Sequence, residues 1–111
     1  MRILVTGAQG FIGRYVIGGW LATDPTVEII GIGRSAAREG FSHRVQWGEQ
    51  RVEAPLPAEL TTQFDSTRYR YESLDILDSP SLTRLIQQVR PGVVIHLASV
   101  LKDSRPTALM R

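Results

Sequence analysis

The chain has 111 residues, enough for one small domain with a modest core. Its composition, 42% apolar and 22% charged, suits a globular fold in water, and the lack of cysteine excludes disulfides, cysteine metal sites and thiol catalysis. A net charge of +2 with the basic residues spread along the chain is no nucleic-acid footprint, and the first apolar run is too short for a signal peptide or a membrane span. A cytoplasmic protein is the expectation, and no metal site is read from the sequence.

The chain opens on Ile3, Leu4 and Val5, a short run of branched side chains that reads as a buried parallel strand. Gly7, Gly10 and Gly13 follow, and then an apolar pattern at helical spacing: Phe11, Ile12, Tyr15, Val16, Trp20 and Leu21. The glycines therefore lie where a strand turns into a helix. In that setting each has a physical task. Gly7 allows the tight turn, Gly10 lets a diphosphate approach the backbone, and Gly13 lets the helix pack closely on the strand. The amide-rich, positive end of the helix then faces the phosphates. Cofactor contacts are expected along the corner at Gly7, Gln9, Gly10, Phe11, Ile12 and Gly13.

The spacing is G-x-x-G-x-x-G, and Thr6-Gly7-Ala8-Gln9-Gly10-Phe11-Ile12-Gly13 resembles the extended short-chain dehydrogenase/reductase family. That family includes nucleotide-sugar epimerases, dehydratases and reductases. The resemblance implies a Rossmann-like, doubly wound parallel α/β sheet. About four strands of it fall within this chain, in the order 3-2-1-4, and 1–111 then form one incomplete NAD(P)-binding domain.

The first helix is expected from Phe11 to Ala22 or Thr23, weakened by Gly18 and Gly19, which also permit close packing on the sheet. Asp24-Pro25 stops it, and Val27 to Ile32 gives a second, parallel strand. An NAD site wants an acid near the end of that strand to hold the ribose 2′-hydroxyl. The stretch Gly33 to Arg38 contains none, and Glu28 comes too early. Arg34 instead suits a forked contact to a 2′-phosphate, with Ser35 hydrogen-bonding it and Arg14 or Arg38 assisting, so NADP is favoured over NAD. Arg38 taken alone reads as solvated loop charge.

Residues 36–68 are irregular. A short extra strand around Arg44 to Trp47, in a hairpin, and one helical turn near Ala58 to Phe64 are expected. His43 and Trp47 read as a loop histidine and a packing tryptophan. Tyr69 to Leu74 is the third strand. Asp75-Ile76 after it resembles the family's adenine-binding element, which implies that Asp75 accepts from the adenine amino group and Ile76 lines the ring pocket. The competing reading of Asp75 is a capping carboxylate, a task that Asp78 or Ser79 fits better, with Pro80 at the helix start. Leu82, Leu85, Ile86 and Val89 mark one face of a helix over Ser81 to Val89, ended by Arg90-Pro91-Gly92. Val93 to Ala98 is a continuous apolar strand, expected to be buried on both faces. The resemblance puts Leu97, Ala98 and Ser99 beside the ribose and nicotinamide. Ser99 is equally well a strand-end cap, and His96 reads as structural.

The resemblance runs from Met1 to Ser99, the first half of a family member. The family's chemistry uses a Tyr-x-x-x-Lys pair, whose lysine lowers the tyrosine pKa. Tyr15, Tyr69 and Tyr71 do not stand four residues before the one lysine, Lys102, so no catalytic residue is assigned. Two readings follow. The chain is the cofactor-binding portion of an NADP-linked enzyme acting on a nucleotide sugar, or it is a stand-alone, non-catalytic dinucleotide-binding module. A relic that binds nothing is a weaker third. The fourth strand is left as a sheet edge for a missing C-terminal half, or a self-associating partner, to cover. Neither nucleic acid nor a membrane is expected as a partner.

Overall fold

The computed structural model describes residues 1–37 and 42–98. In chain order these form β1 (Arg2–Thr6), α1 (Phe11–Thr23), β2 (Glu28–Gly33), β3 (Ser42–Trp47), β4 (Gln50–Pro55), α2 (Ala58–Thr61), β5 (Tyr69–Ser73), α3 (Ser79–Val89) and β6 (Val93–His96). Among the described residues one four-stranded sheet runs β5-β2-β1-β6, with every neighbouring pair parallel. This is the 3-2-1-4 order expected from the sequence. β1 stands between β2 and β6, so the chain leaves it in one direction and later returns on its other side. The cleft at such a reversal, beyond the carboxyl ends of the strands, is where open α/β sheets take ligands.

Alternation along the strands builds two cores. Ile3, Val5, Val27 and Ile29 pack with Ile17 and Leu21 of α1. Leu4, Ile30 and Ile32 face the other way, against Leu85 and Val89 of α3. Burying each such side chain contributes about 1.5–3 kcal/mol, so the two layers hold β1 and β2 at the centre. The helical phase of α1 differs from the expected one. Its buried face is Gly13, Arg14, Ile17, Gly18 and Leu21, while Ile12 is 65% exposed. The tight approach of α1 to the turn and to α2 selects glycine at positions 13 and 18 of that face, so apolar residues mark only part of it, at Ile17 and Leu21.

Gly18 does not face the sheet, as the sequence suggested. A Cβ there would lie 3.0 Å from the Leu60 Cβ, so this glycine admits α2. A Cβ on Gly19 would meet nothing within 4 Å. Gly19→Ala is therefore expected to raise unfolding stability by about 0.5–1 kcal/mol, and Gly18→Ala to lower it, in urea titrations followed by circular dichroism. Gly31 on β2 is also occluded. A Cβ there would come within 2.6 Å of the Ala8 Cβ and 2.9 Å of the Tyr69 hydroxyl. The Tyr69 ring packs against the α1-side core and meets Phe64 edge-on, and its burial pushes the phenol pKa up to about 12.

The irregular stretch resolves into the β3–β4 hairpin, closed at Gly48 with φ +63°, followed by α2 and a 3-10 turn over Thr62–Asp65. Arg68 then ties this region to α1. Its guanidinium donates to the carbonyls of Leu21 and Asp24, both at 2.8 Å, and of Val27 at 3.3 Å. It thereby satisfies one of the carbonyls that the end of α1 leaves open.

The last strand departs from expectation. β6 ends at His96, and Val94 is 53% exposed rather than buried. Val94 pairs with Leu4, which belongs to the α3-side core. Among the described residues, β6 is the outer strand on this side of the sheet, and Val94 is left about half exposed.

Candidate functional site

The corner between β1 and α1 is set by backbone. Gly7 sits at φ +68°, a left-handed conformation that glycine adopts without strain. Its carbonyl accepts from the Gly10 amide at 3.1 Å, and the Ala8 amide donates to the Ile32 carbonyl, tying the turn to β2. A Cβ on Gly13 would lie 2.2 Å from the Gly7 oxygen, so the helix presses on the turn itself. Gly10 caps α1 with no side-chain bond. The amide-rich, positive end of α1 opens on this corner.

Thr6 closes the corner from the far side. Its hydroxyl oxygen accepts from the amides of Leu97 at 2.9 Å and Ala98 at 3.0 Å and lies 2.8 Å from Nδ1 of His96. With two amides donating into the oxygen, the hydroxyl proton goes to His96, whose own ring proton is then on Nε2. Thr6 thus ends β6 two residues early and turns Leu97-Ala98 toward Gly7. A Cβ on Gly7 would come within 3.0 Å of both the Leu97 carbonyl carbon and the Ala98 amide. His96 is a structural residue of the strand end.

The loop after β2 is held on two sides. Gln9, 8% exposed, donates through its amide to Ser35 Oγ at 2.8 Å and to the Ala36 carbonyl at 2.9 Å. From β5, the Tyr71 hydroxyl donates to the Ser35 carbonyl at 2.6 Å and Ser73 Oγ to the Arg34 carbonyl at 3.3 Å. Glu28 stands at the opposite end of β2, paired with Arg2.

Beyond β5, Asp75 accepts from the Leu77 amide at 3.0 Å, and Asp78 caps α3. Ser81 donates to Asp78 through both its hydroxyl and its amide, holding that carboxyl below the usual carboxylate range. The cap expected at Asp78 is therefore present, and Asp75 also holds a turn amide.

These elements converge on a cavity of about 270 Å3 at the carboxyl ends of the strands. Gly7, Gly10, Arg34, Asp75, Ile76, Leu97 and Ala98 line it. An adjoining cleft of about 330 Å3 is lined by Gly7, Gly10, Phe11, Ile12, Gly13 and Leu97. Neither Gln9 nor Ser35 lines these clefts; the buried Gln9 donates to Ser35, which is exposed next to Arg34. Arg14 lines neither cleft. It is 2% exposed among the buried residues of α1, where its charge favours the ionised form of Tyr69. Arg38, Ser99 and Lys102 lie outside the described residues. Sequence reasoning missed Ile32, Gly33 and Leu74 as wall residues, and missed Thr6. The apolar end of β2 was a signal for the first two. Nothing in the sequence announces the bonds of a lone threonine.

A parallel sheet with helices on both faces and a glycine corner at its reversal defines a Rossmann-like α/β protein. Residues 3–108 match the NAD dependent epimerase/dehydratase family, and the chain belongs to it. dTDP-glucose 4,6-dehydratase 1 of Escherichia coli is 32% identical over 103 residues, covering 89% of this chain and 23% of that protein. The chain thus spans about a quarter of the length of the curated relatives it matches. Among solved structures, Bacillus anthracis dTDP-glucose 4,6-dehydratase in complex with NAD superposes with a TM-score of 0.65 at 22% identity. The match covers 96% of this chain and 28% of that one and shows a shared fold. UDP-glucuronic acid 4-epimerase from Bacillus cereus, in complex with UDP-glucuronic acid and NAD, is 28% identical with a TM-score of 0.54. It covers 91% of this chain and 27% of that one.

Proposed function

We propose that this chain is the cofactor-binding portion of an epimerase/dehydratase-type oxidoreductase acting on a nucleotide sugar or a related substrate, in a cytoplasmic setting, and that it favours NADP(H). The observation that carries the reading is the convergence of the glycine corner, the β2 loop, Asp75-Ile76 and Leu97-Ala98 on one cavity. The fit to a dinucleotide is chemical. The α1 amides suit a diphosphate, Ile32, Leu74 and Ile76 offer apolar walls to an adenine, and Asp75 offers an acceptor for its amino group. Leu97 and Ala98 would border the nicotinamide half, whose chemistry is hydride transfer. Substrates of the named relatives support a nucleotide sugar. The proton-handling pair and the substrate site would come from outside these 111 residues.

The preference for NADP rests on Arg34, an exposed residue of the cavity lining, and on the absence of an acid in the sequence from Gly33 to Arg38. The test is a fluorescence titration of the chain with NADPH and NADH. Tighter NADPH binding is expected, with Arg34→Ala reducing it about tenfold or more. Equal affinity for the two cofactors would overturn the assignment of Arg34. A second reading is a stand-alone dinucleotide-binding module whose sheet edge is covered by a partner chain, which the exposed Val94 favours. Both readings predict cofactor binding. Epimerase or dehydratase activity of the whole gene product separates them.

A further inference from the structure

The bonds that hold the β2 loop carry an inference that rests on the NADP reading and deepens it. The loop Arg34-Ser35-Ala36 has three backbone carbonyls, and each already accepts a bond. Ser73 donates to the first, Tyr71 to the second and Gln9 to the third. The Ser35 side-chain oxygen is engaged too, by the same Gln9 amide. Each of these oxygens keeps a second lone pair, but all are engaged by the protein, and the donors the loop adds are the Arg34 guanidinium and the Ser35 hydroxyl proton. A ribose hydroxyl held in an NAD site needs an acceptor there, whereas a phosphate offers only acceptors.

We infer that Gln9 is a positioning residue for cofactor selectivity: from the glycine corner it ties up acceptors of the β2 loop and orients Ser35, so that the loop presents donors to a 2′-phosphate. Gln9 was expected to touch the cofactor, but its amide is spent on the loop. Gln9 itself is 8% exposed, and its bonds to the exposed Ser35 and Ala36 are half-buried. Tyr71 acts in the same sense from the other side, reaching across to Ser35 from β5.

The test measures dissociation constants of the full chain for NADPH and NADH. The variants are Gln9→Met, which keeps length and volume but donates nothing, Tyr71→Phe, Arg34→Ala, and Ser35→Ala alone and combined with Gln9→Met. Gln9→Met is expected to lower the NADPH-to-NADH affinity ratio about tenfold, and Tyr71→Phe about threefold. Ser35→Ala is expected to weaken NADPH binding in the parent chain and to have no further effect once Gln9 is Met. A loss of fold alone would weaken both cofactors and leave their ratio unmoved. If Arg34→Ala collapses the ratio while Gln9→Met leaves it at the parent value, the Gln9 inference is overturned and the NADP reading stands. If Arg34→Ala leaves the ratio unchanged, the NADP reading fails and the inference fails with it. Should Gln9→Met not fold, Tyr71→Phe decides, because it keeps the ring and removes only the hydroxyl. An unchanged ratio there overturns the inference.

Discussion

Gly13→Ala is expected to destabilise the chain by about 3 kcal/mol and to weaken dinucleotide binding about a hundredfold. The added methyl would sit 2.2 Å from the Gly7 carbonyl oxygen, and the Gly7 carbonyl carbon and Ala8 are close behind at 3.1 and 3.2 Å. These are backbone atoms, so no side chain swings aside to make room. Either α1 shifts outward or the turn at Gly7 changes its dihedrals. Both move the helix amides away from where a diphosphate would lie. Chemical denaturation reads the first effect and cofactor titration the second. A variant that keeps both stability and affinity would contradict the geometry of the corner.

Thr6→Val is the second change with a large expected effect. It preserves shape and removes the one oxygen that serves the Leu97 and Ala98 amides and His96. Leu97 retains a longer bond to the Thr6 carbonyl at 3.3 Å. Thr6 is 4% exposed, and the half-buried Ala98 amide loses the bond it makes there. A loss of about 2 kcal/mol follows, measured in urea, and cofactor affinity falls with it because Leu97-Ala98 forms part of the cavity wall. Thr6→Ser keeps the oxygen and is expected to restore most of both. Equal stability of Thr6→Val and the parent chain would show that the hydroxyl does not hold the strand end.

The elements with strong periodicity were legible in the sequence. The sheet core at Ile3–Val5, the extent of α1 and the capped α3 all follow from spacing and from the Asp78-Pro80 signal. So was most of the candidate site, because the glycines and Asp75-Ile76 lie at strand ends and strand ends meet in a parallel sheet. The burial of Arg14 was not legible because glycines hid the phase of α1. A helix that presses on backbone buries Gly13 and Gly18, and a long arginine follows them inward. β6 was misread because an apolar run carries no information about which neighbours are there to cover it. Side-chain-to-backbone bonds over long separations, such as Gln9 to Ala36 and Arg68 to Leu21, have no local signature.

The missing side chain at Gly31 links two distant positions. The space above it is closed by both Ala8 and the Tyr69 hydroxyl, so any bulk gained at 31 must be given up by the two of them together. Across a set of homologous chains, residues 31 and 69 should therefore drift as a matched couple, a small one opposite a large one. An engineer who wishes to enlarge residue 31 would have to trim the tyrosine neighbour and also make room at Ala8 in the same step.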